Sequence, residues 1–409
     1  MRRVLIVQYA GDFADAYRRM QCGEGETYYG HRYLLNSMAA LGGRVGEVAL
    51  MSNISPQAFD VVLAPGLRAI GGGPDAFDSR KVTARIAAYD PTHLILQFPD
   101  RRGASCAARQ PGGQPHAPGP PASFPPAGLR PRIAYRLLAR ALNRPRIELI
   151  GNHGIKASLS LAAIGTDPTK VVPWDFVYTV TPDGNVPRTL HGADGRIELT
   201  YVGRISESKG CGDLIRAVRA IKASGRRVRA RLAGSGDVEE MRALASAEGV
   251  AGEVELVGHM PHTGIYDFIR SGHVAVVPSR HDYMEGFPLT IYEALTTRTP
   301  IVASDHPMFV GNLEHRQSAL LFPAADPTAL ADRILDLTSD GVLYERLSRN
   351  AAATWHGLQL PVKWAELISR WVDGRPEDLA FIGAHTLRAP LYAARVKAYG
   401  ARANISSNA

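Results

Sequence analysis

Two carboxylates stand eight residues apart in Glu285-Gly286-Phe287-Pro288-Leu289-Thr290-Ile291-Tyr292-Glu293, and the residues between them read as the start of a helix. Pro288 suits a first helical turn, where no N–H is needed, and the apolar run Val274 to Pro278 before it reads as a buried strand. Backbone N–H groups around Gly286, Phe287, Leu289 and Thr290 then face out of a helix N-terminus, a ready site for phosphate. Eight helical residues set the carboxylates up to about 12 Å apart. That spacing fits a ligand with hydroxyls at both ends and a diphosphate between them, since carboxylates accept hydroxyl hydrogen bonds and amides take the phosphates. A nucleoside diphosphate sugar has this form.

Cations stand upstream. The apolar run Ile197 to Gly203 reads as a strand, and Arg204 and Lys209 follow it before a helix led by Asp213-Leu214-Ile215. Two cations at the carboxyl end of a strand, beside a helix start, are where an open α/β sheet binds phosphates. Arg229 to Gly236 reads as a strand and a glycine turn, and its Gly234-Ser235-Gly236 lacks the third glycine of a dinucleotide fingerprint.

The residues after Glu285 (GFPL), the EAL that follows, the strand TPIVASD, and upstream Tyr201-Val202-Gly203-Arg204, Lys209-Gly210, Leu232-Ala233-Gly234-Ser235-Gly236 and Val257-Gly258-His259 stand in one order. This pattern resembles the retaining glycosyltransferases of the family 4 type, the glycosyl transferases group 1, over roughly residues 197–335. The resemblance implies an α/β chain of GT-B architecture, with two Rossmann-like doubly wound domains facing across a cleft. It implies an acceptor-side domain over 1–185, a nucleotide-sugar-binding domain over 186–360, and a terminal helix crossing back with a tail over 361–409. It further implies retaining transfer of a sugar from a nucleoside diphosphate sugar to an acceptor hydroxyl. Glu285, Arg204 and Lys209 are the expected catalytic set. Glu293 is expected on the ribose, with Gly286, Phe287, Pro288, Leu289, Thr290, Gly203, Gly234, Gly258 and His259 also at the donor. No cofactor or metal is expected, the nucleotide sugar being a co-substrate. The expected acceptor is a glycan or lipid-linked glycan, as in exopolysaccharide or cell-envelope synthesis.

Other classes stay open. One is a catalytically inactive nucleotide-sugar-binding partner protein; a sugar epimerase or phosphorylase on the same fold is another. A dinucleotide oxidoreductase needs a glycine fingerprint directly after the first strand, and Val7-Gln8-Tyr9-Ala10-Gly11-Asp12-Phe13 does not supply one.

The 409 residues suggest about two domains, and no stretch approaches the roughly 18 consecutive apolar residues of a membrane span. Met1 to Gln8 has the charge of a signal-peptide start with too short an apolar run, and reads as a first strand. Cys22, Cys106 and Cys211 lie far apart without metal-ligand spacing, so a reducing cytoplasm is expected. Residues 1–190 hold 22 Lys and Arg against 14 Asp and Glu, while in the remainder the two balance. Arg130, Arg132, Arg136, Arg140, Arg144 and Arg146 flank Ile133, Leu137, Leu138 and Leu142. A basic amphipathic helix there is either a solvated face or a seat on an anionic membrane, which would put the protein peripherally on the inner membrane face. Nucleic acid is not an expected partner, for want of interleaved aromatics or a recognisable motif.

The elements that position the site follow in chain order. Val4 to Val7 reads as a strand, 8–30 as a loop, and His31 to Leu41 as a helix stopped by Gly42-Gly43. Gly25 sits in that loop where the family has a glycine-rich turn. Residues 45–64 and 92–98 supply strands, with Gln97 and Phe98 where many relatives carry a histidine. Residues 100–130, rich in Pro and Gly, read as a mobile loop. Glu148 to His153 ends another strand, and His153 is the candidate polar residue facing the cleft from the first domain. A linker is expected within 175–195, and helices over Leu330–Leu337 and Val362–Val372.

Overall fold

The computed structural model describes residues 2–24, 30–97, 114–116, 129–190 and 195–403. They form two compact units, Met1–Val177 with Leu360–Ala409, and Tyr178–Gln359. Among the described residues no helix is long and apolar enough to cross a membrane.

The first unit is built on a sheet of six strands: β1 (Arg2–Ala10), β2 (Gly46–Ile54), β3 (Ala58–Ala64), β4 (Leu67–Gly72), β5 (His93–Leu96) and β6 (Gln114–His116), in spatial order β3-β4-β2-β1-β5-β6. β1 pairs in parallel with β2 and β5. Val4 to Val7 are wholly buried because the sheet is covered on both faces. Alternation sorts them: Val4 and Ile6 pack with Leu35, Met38, Leu41 and Trp371, whereas Leu5 and Val7 pack with Val82, Ile86 and Tyr89. The helix Trp364–Asp373 lays Leu367, Ile368, Trp371 and Val372 on the first of these faces.

A parallel pair, β7 (Ile150–His153) and β8 (Val171–Trp174), is joined by the helix Ile155–Ala163. Leu138 and Leu142 of the helix Leu129–Leu142 bury against it with Leu387, Tyr392 and Tyr399 from the chain's end. The expected basic helix therefore has one face committed to a core. The last segment is helical, over Pro376–Ala384 and Ala393–Ala403.

Three local expectations change. The loop over 8–30 holds a helix, Phe13–Gln21, whose N-cap Asp12 accepts from the Asp15 N–H. The next helix does not stop at Gly42-Gly43 but runs His31–Val45. Gly42 is a contact, not a terminator: a Cβ there would collide with the Gly66 carbonyl. Gln114–His116, inside the Pro/Gly-rich stretch, pairs with His93–Ile95; most of that stretch lies outside the described residues.

The second unit has a sheet of six parallel strands: β9 (Ile197–Val202), β10 (Val228–Ala233), β11 (Val254–Gly258), β12 (Val274–Val277), β13 (Ile301–Ser304) and β14 (Leu320–Phe322), in the order β11-β10-β9-β12-β13-β14. This is the doubly wound order, whose direction reverses between β9 and β12. Ligands of such sheets bind beyond the carboxyl ends of the strands at that reversal. The chain's motifs lead there: Gly203 to Lys209 leave β9, and Pro278 to Pro288 leave β12.

Candidate functional site

β12 ends at Val277, and an extended loop runs from Pro278 to Pro288 into the helix Leu289–Thr296. Pro288 is the N-cap and no side chain caps the helix. The first-turn N–H groups of such a helix point out of its end and carry the positive end of its dipole. The strand, loop and helix expected around the two glutamates are thus present, with Pro288 one position earlier than expected.

Glu285 lies at the loop end of this motif and Glu293 inside the helix, both buried. Glu285 Oε2 accepts from Lys209 Nζ at 2.5 Å and from the Ser279 hydroxyl at 2.9 Å. The ammonium also stands 4.7 Å from the centre of the Tyr283 ring. A cation from the β9 loop and an anion from the β12 loop are thereby joined across the topological switch. Arg204 is exposed on the same β9 loop, and its carbonyl accepts from the Tyr201 hydroxyl at 2.6 Å.

Glu293 has a different setting. Burial pushes its carboxyl up to about 7. Its ionic neighbour is His262, whose Nδ1 lies 3.5 Å from Oε1. His262 opens the helix Leu289–Thr296's neighbour, His262–Ser271, just after β11. Thr290, between the glutamates, donates its hydroxyl to the Val202 carbonyl at 3.0 Å and fixes the helix start against the end of β9. Phe287 is buried edge-on to Tyr292, with ring centres 5.3 Å apart.

The glycines explain how the loops come close. Gly203 and Gly234 have φ of 154° and 153°, and a Cβ on Gly234 would collide with the Gly203 carbonyl oxygen. Gly234 N–H donates to the Gly258 carbonyl at 2.8 Å, so the turns after β9, β10 and β11 are stacked on one another. His259 follows Gly258 and is exposed.

Sequence reasoning missed the clamp that holds these loops. Arg280 reaches Asp213 with two bonds, at 2.7 and 2.6 Å, and Glu207 at 2.6 Å. Asp213 is buried at the start of the helix Cys211–Ala223. These carboxylates, Asp213 first, hold the guanidinium above its ordinary range. The loop is pinned on its other side too: His281 Nε2 lies 2.7 Å from Asp305 Oδ1, and His306 Nε2 lies 3.1 Å from the Tyr283 carbonyl. Met308 N–H donates to His306 Nδ1 at 3.1 Å, which assigns the remaining proton to Nε2. Burial lowers the His306 imidazole, which keeps it neutral in that role. None of these side-chain pairings shows in sequence, since the partners of Arg280, His281 and His306 across the loops are 23 to 73 residues apart. His262 was missed for the same reason: its only local signal is a place at a helix start.

The remaining candidates lie in the first unit. Gly25 lies outside the described residues. Gln97 is half-buried just past β5, its N–H bonded to the Val7 carbonyl at 2.8 Å. His153 Nε2 lies 3.3 Å from Oδ1 of buried Asp175, between the rings of Trp174 and Phe176. Among the described residues no group of three or more His, Cys, Asp and Glu is placed to hold a metal ion.

Comparison with known proteins gives the same region. Residues 188–354 match the family model described as glycosyl transferases group 1. Alpha-D-kanosaminyltransferase of Streptomyces kanamyceticus is 32% identical over 166 residues, 40% of this chain and 42% of that protein. Amylovoran biosynthesis glycosyltransferase AmsK of Erwinia amylovora is 32% identical over 146 residues, 35% and 36% of the two chains. The match thus spans about two fifths of the length of these curated relatives. Among solved structures, HepE of Anabaena in complex with UDP and glucose superposes with a TM-score of 0.62 at 14% identity, covering 93% of this chain and 100% of that one. This likeness shows the fold, GT-B.

Proposed function

We propose that this chain, whose residues 188–354 belong to the glycosyl transferases group 1, is a glycosyltransferase that moves a sugar from a nucleoside diphosphate sugar to an acceptor hydroxyl with retention of anomeric configuration. The observation that carries this reading is the placement of Glu285 with Lys209 at one end of a helix start and buried Glu293 at the other, at the switch point of a doubly wound sheet.

In this reading Glu293 accepts the ribose hydroxyls, the N–H groups from Gly286 to Thr290 take the diphosphate, and Glu285 accepts hydroxyls of the donor sugar. The bond between the anomeric carbon and the diphosphate oxygen breaks, and the acceptor oxygen forms the new bond from the same face. The acceptor proton passes to the departing phosphate oxygen, so no protein base is required. Lys209 and Arg204 stabilise the charge that develops on the leaving diphosphate, and the helix N-terminus adds to it. These cations do the neutralising that other transferases give to a metal, so the reading needs no metal ion.

The acceptor reading is a glycan or lipid-linked glycan, supported by the relative named for amylovoran biosynthesis. It is joined to a surface: Arg132, Arg136, Arg140 and Arg144 are exposed along and just past the helix Leu129–Leu142, with Ile133 half exposed beside them. A cationic face with an apolar residue suits an anionic lipid surface. Co-sedimentation with anionic and neutral vesicles checks this; equal weak binding to both removes the membrane from the reading.

The test of the main reading is a thermal-shift screen against UDP, GDP, ADP and TDP sugars, with Lys209→Ala and Glu293→Ala alongside. A ligand of the native state raises its melting temperature by mass action. One nucleotide class is expected to stabilise the wild type and neither variant. No response of the wild type to any nucleotide overturns the reading. Binding without product, in assays with lipid-linked and soluble acceptors, identifies a nucleotide-sugar-binding protein without transfer activity.

A further inference from the structure

We propose that His262 is a donor-positioning residue: it holds the Glu293 carboxylate in the orientation and charge state that reads the ribose, and so gives the site its preference for ribonucleotides over 2′-deoxyribonucleotides. This rests on the donor-site reading above and goes beyond it, since the resemblance assigned the strand end to His259 and gave His262 no role.

The geometry separates the two histidines. His259 is exposed, with no contact to either glutamate among those described. His262, three residues on, is turned inward at the first position of the helix His262–Ser271, its side chain 18% exposed and Nδ1 3.5 Å from Glu293 Oε1. Tyr266, one turn later on the same face, sets its ring against the imidazole at 5.6 Å between centres and fixes the plane of the ring. Two helices thus converge: one supplies the carboxylate and the other the group that faces it.

The chemistry needs such a partner. A carboxylate that accepts two ribose hydroxyls must be ionised, and Glu293 is buried enough that its carboxyl resists ionisation up to about neutrality. An imidazole 3.5 Å from one carboxylate oxygen can favour the ionised form when it presents a proton there, and it leaves the other lone pairs for the hydroxyls. Tyr266, the further titratable group on that helix, is raised by burial and stays neutral throughout. His262 is therefore the described imidazole that faces the Glu293 carboxylate.

The experiment measures the affinity of purified full-length protein for UDP, GDP and ADP and for their 2′-deoxy counterparts between pH 5.5 and 8.5. The deoxy-to-ribo ratio of Kd isolates the ribose contact, because titration of the phosphates cancels in it. In the wild type the ratio is expected to be about tenfold above neutrality, the size of a hydrogen bond to a charged group, and to fall as the pH drops below about 7. His262→Phe keeps the packing and removes the N–H: its ratio curve is expected to move to higher pH by about one unit, leaving discrimination several-fold weaker at pH 7. His262→Gln returns an N–H donor and is expected to restore the discrimination.

A His262→Phe curve identical to that of the wild type overturns the proposal, as does a wild-type ratio that does not vary with pH. These results leave the donor site standing if Glu293→Gln still abolishes the preference. Failure of every nucleotide to bind the wild type removes the donor-site reading and this inference together. Circular dichroism of each variant excludes loss of fold as the cause.

Discussion

Lys209 and Glu285 are 76 residues apart in sequence and 2.5 Å apart in space, both side chains nearly out of contact with water. The pair closes the gap between the loops that leave β9 and β12, so charge neutrality and loop geometry at the switch point depend on one contact. A buried pair of this kind is costly to break because the survivor is left as an uncompensated charge. In the proposed transfer, Lys209 is also the cation that meets the charge of the departing diphosphate.

The two roles can be separated. Lys209→Ala is expected to cut sugar transfer by about a hundredfold to a thousandfold, the usual cost of losing one preorganised charge donor. It should also lower the melting temperature, since Glu285 is then buried unpaired. The double variant Lys209→Ala/Glu285→Gln should regain much of the stability and none of the activity. Calorimetry beside a radiolabelled transfer assay reads both, and parallel recovery of activity would show that the pair is structural only.

Glu293 gives a stability signature with a definite sign. Its carboxyl is raised from 4.5 to about 7 by burial, so the folded chain holds a proton there that the unfolded chain releases. Stability from this group is fully present below pH 4.5 and is lost as pH rises through 7, a difference on the order of 3 kcal/mol. Glu293→Gln is neutral at every pH. It should melt several degrees above the wild type at pH 8, with the gap shrinking toward pH 5. A gap that widens on acidification contradicts the assignment.

The turn glycines predict a third result. Gly234→Ala places a Cβ against the Gly203 carbonyl at a φ that L-residues rarely adopt, with an expected cost of about 1–3 kcal/mol and weaker nucleotide binding. Gly252→Ala, where a Cβ meets nothing within 4 Å, is the control and should be close to neutral. Denaturant melts of the two variants provide the comparison.

The Arg280 clamp predicts a fourth. Arg280→Ala leaves buried Asp213 with Arg216 at 3.6 Å and should cost on the order of 3 kcal/mol, while Arg280→Lys returns the charge without the two-pronged bond and should recover less than half of it. Nucleotide affinity should fall with stability, because the clamp ties the loop before Cys211 to the loop that carries Glu285. Full rescue by lysine in chemical melts would reduce the clamp to a point charge.

What the sequence made legible was local. The strand, loop and helix around Glu285 and Glu293, and the cations after Gly203, were readable because proline at a helix start, glycine at a turn and a run of valines each act through a few neighbouring residues. Gly42-Gly43 misled for the same reason: their local meaning is a stop, and their actual role is set by Gly66 on another element. Arg280 with Asp213, and His262 with Glu293, were invisible because each pairing exists only after the sheet has brought distant loops together. In the first unit, His153 was legible only as a polar residue at a strand end, and its neighbour Asp175, 22 residues on, was not.

The division of the chain at Val177 and Leu360 has a consequence for its biosynthesis. Tyr178–Gln359 is one uninterrupted stretch, whereas the other unit needs both ends of the chain. Trp364, Leu367, Ile368 and Trp371 complete the layer over Val4, Ile6 and Leu50, and in chain order they come after the whole of Tyr178–Gln359. The middle of the protein can mature while translation continues. The opening segment, part-covered by Leu35, Met38 and Leu41, must wait for the helix Trp364–Asp373 to complete that sheet face.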